Sequence, residues 1–290
     1  MSTEVLPRPA GALSPAPAPS RAVGQRAART ARRGAVPALA TTYLSLLVLL
    51  PIAAVLAKSF TGGPRQLWSE IWQPETRSAI GLSLVTSLAV VAVNAVAGTA
   101  VAWMLVRERF LLSPLVGAIV ELPFALPTVI AGVTLVSLYG PHSPLHIDLA
   151  YTRLAIVVAL CFVTLPFAVR SVQPVIAELD RESEEAAASL GARSWTTFRR
   201  VTLPSLAPAM LTGAGLGFAR AVGEYGSVVL ISGNLPFKTE AASVRIFGLI
   251  DSDNLPAAAA ASMALFVVAL VVISVFTLLR RRFLSPEVST

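Results

Sequence analysis

Three stretches of this chain hold no charged side chain and are each long enough to cross a bilayer: Gly34 to Ala57, Ser78 to Val106 and Ala257 to Leu279. A hydrocarbon core of about 30 Å needs roughly 20 apolar residues in a helix. Buried helices of soluble proteins rarely run so far without a charge. Composition agrees, with a mean hydropathy of +0.72, 55% hydrophobic residues and only 13% charged ones, where a soluble domain carries about a quarter.

Three further spans are interrupted or bounded by charges. One covers Ser113 to Tyr139 and contains Glu121, Pro123 and Pro127. Another is the short uncharged run Leu154 to Val169, closed by Arg153 and Arg170, whose side chains can snorkel to the headgroups. A third covers Ala207 to Gly233 and holds Arg220 and Glu224 near its middle. Backbone polar groups find no water inside lipid, so all of these are read as helices. The expected fold is an all-α membrane protein with six transmembrane helices.

Orientation follows from the lysines and arginines. With the N-terminus inside, one face collects sixteen of the 23: six in the N-terminal tail, Arg107 and Arg109, five from Arg170 to Arg200, and Arg280 to Arg282. The positive-inside rule then puts both the N- and C-termini in the cytoplasm of a multi-pass cell-membrane protein. The net charge of +7 reflects insertion, and no nucleic-acid partner is expected; membrane lipid is. Residues 1–35, rich in Pro, Ala and Arg, read as a disordered basic cytoplasmic tail. The first transmembrane helix is expected over 36–58, a core of five helices over 79–279 with a cytoplasmic loop at 175–206, and a second cytoplasmic tail over 280–290. The first apolar run starts too late and is too long for a cleavable signal peptide. Cys161, the single cysteine, allows no disulfide within the chain.

The polar loop has its own internal logic. Asp180 can cap a helix, and Glu182, Glu184 and Glu185 crowd its first turn, where the helix dipole favours anions. Three alanines, Ala186 to Ala188, keep one face small, and Gly191 supplies a left-handed stop. A second short helix is expected from Ser194 until Pro204 ends it, with Trp195, Phe198 and Thr202 on one side. Glu185-Ala186-Ala187, then Gly191, then Val201-Thr202-Leu203-Pro204 resembles the EAA loop of ABC-importer permeases, with valine in place of isoleucine. By that resemblance Glu185, Ala186, Ala187, Gly191, Leu203 and Pro204 couple the chain to a separate ATPase. The sequence has no G-x-x-x-x-G-K-[ST] phosphate loop, so ATP and Mg are expected on that partner, with no cofactor, catalytic residue or metal site in this chain.

Three stretches extend the resemblance: LPFALPT at 122–128, FVTLPFAVR at 162–170 and FARAVGEYGS at 218–227, the last continued by ISGNLPFKTE. Together they look like the T-type permease subunit of bacterial sulfate/thiosulfate ABC importers, over roughly residues 36 to 282. The resemblance implies a type I importer fold, a second homologous permease chain of the W type, an ATPase dimer and an extracytoplasmic sulfate-binding protein. The arginine–glutamate core also resembles molybdate and tungstate permeases, which leaves that cargo open. An ion-coupled secondary transporter, with Glu121 or Glu224 as coupling carboxylate, is the alternative of a different class. A membrane enzyme lacks a G-x-S-x-G motif and any histidine within a span.

Arg220 and Glu224 stand four apart and can pair on one helical face. The pair either faces the translocation path or fixes helix packing. Thr128 and Thr164 are candidate hydroxyl donors to the same path, beside the prolines expected to break their spans, Pro123, Pro127 and Pro166. Glu121 and Arg170 are expected at similar depth on neighbouring spans. Gly213, Gly215 and Gly217 give small-residue spacing for close helix contact. His142 and His146 lie in a proline-containing loop and read as solvated.

Overall fold

A computed structural model describes residues 21–108 and 110–284, with side chains from 37 onward except at 109, 181 and 284. The expected tails at 1–20 and 285–290, and Arg109, lie outside the described residues. The described chain is helical throughout and divides into two units, Met1–Ala54 and Val55–Thr290.

Most of α1 (Arg21–Ser59) belongs to the first unit. Its membrane-length apolar part is Pro37–Ser59, close to the expected 36–58. Helix continues back to Arg21, so residues 21–35 of the expected tail are helical here. Their alanines and arginines are good helix formers.

The second unit holds α2 (Gly63–Ile71), α3 (Pro74–Arg107), α4 (Ser113–Ala125), α5 (Thr128–Tyr139), α6 (Arg153–Glu178), α7 (Arg181–Ser189), α8 (Ser194–Thr197), a π-helical turn (Phe198–Thr202), α9 (Leu203–Val222), α10 (Gly226–Ile231), α11 (Ala242–Asp251) and α12 (Leu255–Leu284). Five described helices are long and apolar enough to cross a membrane, or six with α4 and α5 taken as one span bent by 116°. The bend falls at Leu126-Pro127, so Pro127 breaks this span as expected. Pro123 does not; it sits buried within α4. Nor does Pro166 break α6. Close to that proline, Asn94 of α3 donates to the Cys161 carbonyl at 3.1 Å, which ties this stretch of α6 to α3, and Thr164 donates to the Leu160 carbonyl at 2.8 Å.

The core is formed where α3, α6 and α9 pack together, and beside buried apolar side chains such as Val90, Ile156 and Phe218 it takes in many small and polar ones. Small and polar residues of α3 (Ser83, Thr86, Ser87, Asn94, Gly98) face inward, while Val85, Leu88, Val93 and Val96 face out. Apolar burial gains nothing against lipid tails, so small residues that let backbones approach take its place. A Cβ on Gly98 would lie 2.6 Å from the Ala168 Cβ, and one on Gly213 3.1 Å from the Ala168 Cα. On the other side of the unit, α5 meets α10 as closely: a Cβ on Gly132 would stand 2.9 Å from the Ser227 Cα and 3.0 Å from its carbonyl oxygen. Backbone cannot yield there. Gly132→Ala should therefore cost about 1–3 kcal/mol through overpacking, read as a fall of roughly 5 °C in the melting temperature of the purified protein.

Candidate functional site: a coupling loop and an intramembrane ion pair

The loop folds as its residues dictate. Asp180 caps α7, its carboxylate accepting from the Glu182 N–H at 2.9 Å. Gly191 closes the helix with φ +80°, and the Ala192 N–H reaches back to the Ala187 carbonyl at 3.0 Å. α8 then starts at Ser194 as expected. Pro204 does not end it. The chain widens into the π-helical turn, where the Leu203 N–H bonds the Phe198 carbonyl, and runs on into α9. The looser turn relieves the crowding a proline ring imposes on the carbonyl four residues back. Residues Ser194–Val222 thus form one helical run.

Glu185 and Ala186 are exposed on α7, with Leu190 and Trp195 beside them in sequence. Trp195 stacks on Phe198 with ring centroids 5.6 Å apart. The inward-turned carboxylate is Glu184, which accepts from Arg107 at the end of α3 at 3.3 Å and from Thr202 at 3.4 Å. Arg107 lies over the Trp103 ring at 5.2 Å. A pocket of about 260 Å³ opens between these groups and Ala188, Ala192 and Phe198. Sequence reasoning missed the Arg107–Glu184 tie, since 77 positions separate the partners. Leu203 and Pro204 stand apart from the exposed surface of α7. They line an apolar groove of about 560 Å³ with Leu88, Met210 and Phe276.

Arg220 and Glu224 do form an ion pair. They do not share one helix, however, because α9 ends at Val222, with Gly223 as its cap, and Glu224 occupies the break before α10. There its carboxylate, 1% exposed, also accepts from the Ser227 N–H at 2.9 Å and the Ser227 hydroxyl at 3.0 Å. The Glu224 carbonyl accepts from Ser243 of α11 at 2.6 Å. Arg220 is the open member, 34% exposed. Glu224 is thus a buried anchor that holds a partly exposed cation.

Thr128 opens α5 against the start of α10, where a Cβ on Gly226 would lie 2.2 Å from the Thr128 Oγ1. It therefore sits close to the Glu224 break. Thr164 does not reach an open surface. It is buried, and its hydroxyl accepts from Asn94 at 2.9 Å, tying α6 to α3.

A polar cluster supports the pair through α11. Arg245 approaches Thr76 at 3.1 Å, Gln73 at 3.3 Å, Glu240 at 3.7 Å and Glu75 at 4.0 Å. Burial raises the Glu240 pKa above its ordinary 4.5; Arg245 pulls it back down and Glu75 adds to the rise.

The geometry has close relatives. The model for the "Binding-protein-dependent transport system inner membrane component" family matches residues 95–288. The chain belongs to this family. It is therefore a multi-pass inner-membrane transport component and not an enzyme. It is 45% identical to the sulfate transport system permease protein CysT of Synechocystis sp., over 82% of this chain and 86% of that one. The CysT of Escherichia coli is 38% identical over 83% and 90%. Among solved structures, a chain of a bacterial ABC transporter that imports the polysaccharide alginate matches with a TM-score of 0.73 at 18% identity, covering 90% of this chain and 99% of that one. A chain of the inward-facing MetNI methionine ABC transporter matches with a TM-score of 0.52 at 18% identity, over 70% and 92%. The permease chain therefore has the importer-permease fold that the loop and the spans suggested.

One titration follows from the Arg245 cluster. Glu240 holds its proton more tightly in the folded chain than in the unfolded one. Folded stability should then fall as pH rises from about 4.5 through the raised native value. Glu240→Gln should flatten that slope in melting curves taken across the acidic range.

Proposed function

We propose that this chain is one transmembrane subunit of an ATP-driven sulfate importer, with both termini and the α7–α8 loop in the cytoplasm. The observation that carries the cargo is relatedness: CysT permeases at 38% and 45% identity match over four-fifths of the chain. A molybdate cargo and an ion-coupled carrier are not favoured by such relatives. The observation that carries the coupling is geometric. Glu185 and Ala186 are exposed, while Glu184 ties the loop back to α3.

A small-faced helix held by its own inner side can seat its outer side in a groove on a separate ATPase, where ATP and Mg would be bound. A W-type permease chain completes the pore, and a binding protein delivers sulfate from outside. Arg220 meets the anion, and its tie to Glu224 keeps that site weak enough for the anion to leave. No chemistry on the cargo is required, only alternating exposure.

The test is labelled sulfate uptake in cells lacking their own importer, with this chain expressed beside its neighbouring permease, ATPase and binding protein. Uptake that needs this chain and persists in excess molybdate supports the reading. Uptake that is absent, or abolished by molybdate, refutes it. Two substitutions test the coupling surface. Gly191→Val forces a branched residue into a left-handed turn at a cost of roughly 1–2 kcal/mol, and should uncouple uptake from ATP hydrolysis in a chain that still inserts. Glu185→Ala, at an exposed position, should lower uptake without lowering the melting temperature.

A further inference from the structure

Arg220 and Glu224 are not the only charges within the spans. Glu121 of α4 and Arg170 of α6 form a second ion pair, 2.6 Å between Oε1 and a guanidinium nitrogen. Neither sits at the end of its helix. Glu121 follows the start of α4 at Ser113, and Arg170 precedes the end of α6 at Glu178, in each case by about 12 Å of helix. The sequence placed Glu121 and Arg170 at similar depth on neighbouring spans, and here they meet. α6 continues past Arg170, which does not close the span, and the guanidinium turns to α4, over the Phe124 ring at 5.4 Å.

This pair is open. Arg170 is 55% exposed and Glu121 57%, against 34% and 1% for Arg220 and Glu224. Charges in a span face a wet cavity or a protein partner, because hydrocarbon offers them no solvation. The immediate surroundings are polar too. A cavity of about 150 Å³ adjoins the pair, with Ser113 and Gln173 adding polar groups. At roughly 30 Å³ each, it has room for a few waters.

Helix register sets the spacing between the two cations. Gly213 of α9 abuts Ala168 of α6, and Gly217 abuts Thr164. Continuing that antiparallel register brings Arg220 level with the region of Leu160, which shares a core cluster with Ala221. Arg170 then lies about ten residues farther along α6, roughly 15 Å toward the loop side.

Resting on the sulfate-import reading above, we infer that Arg170 and Glu121 form a second, inner oxyanion waypoint, which receives the anion after Arg220 and releases it toward the coupling-loop side. The arginine supplies donors for a tetrahedral dianion. The glutamate competes for the same guanidinium and so prevents tight capture. Each waypoint has the same composition, one arginine restrained by one carboxylate.

The test uses the complete importer in proteoliposomes. Arg170→Gln should reduce sulfate uptake at least about tenfold in a complex that still assembles at parental size, and Arg170→Lys should recover part of it. In a Cys161→Ser background, Glu121→Cys should react with a membrane-impermeant anionic thiosulfonate, and sulfate should slow the reaction. Arg170→Gln transporting at the parental rate, or labelling indifferent to sulfate, overturns this inference alone. If the parent importer takes up no sulfate, the cargo assignment falls and takes this inference with it.

Discussion

Ala168 is gripped from two sides, by Gly98 of α3 and Gly213 of α9, and the rest of the molecule is arranged around that contact. In lipid no hydrophobic force pushes helices together, so adhesion depends on backbones coming close enough for dispersion and a few polar ties. One alanine with a glycine on either flank brings three spanning helices within that range. The Asn94–Thr164 hydrogen bond then fixes α3 against α6. Arg170 stands two residues from the grip and Arg220 seven, so both arginines inherit their positions from it.

The membrane also explains how the charges are housed. The Glu224 carboxylate is sealed in by Ser227 and Arg220, which a low-dielectric interior demands of a buried carboxylate. Its guanidinium partner stays partly open. Around the connection to α11 the same device recurs with Arg245, which gathers Gln73, Thr76, Glu75 and Glu240. Polar groups from three separate segments thereby meet and fasten α11 to the start of α3, beside the apolar cluster in which Val244 packs with Val90 and Ile156.

The parts of this architecture set by lipid alone were legible in the sequence. Uncharged runs located the spans because a bilayer has one thickness and no tolerance for bare backbone. Asp180, the alanines and Gly191 announced the first loop helix, since capping and left-handed turns are local properties. Prolines were read less well. Pro127 breaks its span, but Pro123, Pro166 and Pro204 do not. What a proline costs depends on its surroundings, and Pro166 is buried within α6 close to the tie that Asn94, distant in sequence, makes to the Cys161 carbonyl. Glu184 gave the same lesson. Three glutamates crowd one turn, and only folding shows which of them meets Arg107.

The uninterrupted helical run from Ser194 to Val222 has a mechanical consequence. Its 29 residues make a rod of about 43 Å with Trp195 near one tip and Arg220 near the other. Such a rod needs no relay of side chains to carry a signal, because tilting one end moves the other. About its midpoint, a tilt of roughly 5° displaces each tip by about 2 Å, enough to break or remake a hydrogen bond. The π-helical turn at Phe198–Thr202 interrupts the α-helical ladder close to the Trp195 tip. Under the coupling proposed above, compliance there would absorb misalignment of a docked ATPase while leaving the longer arm stiff, as in a crank with a flexible coupling at its handle.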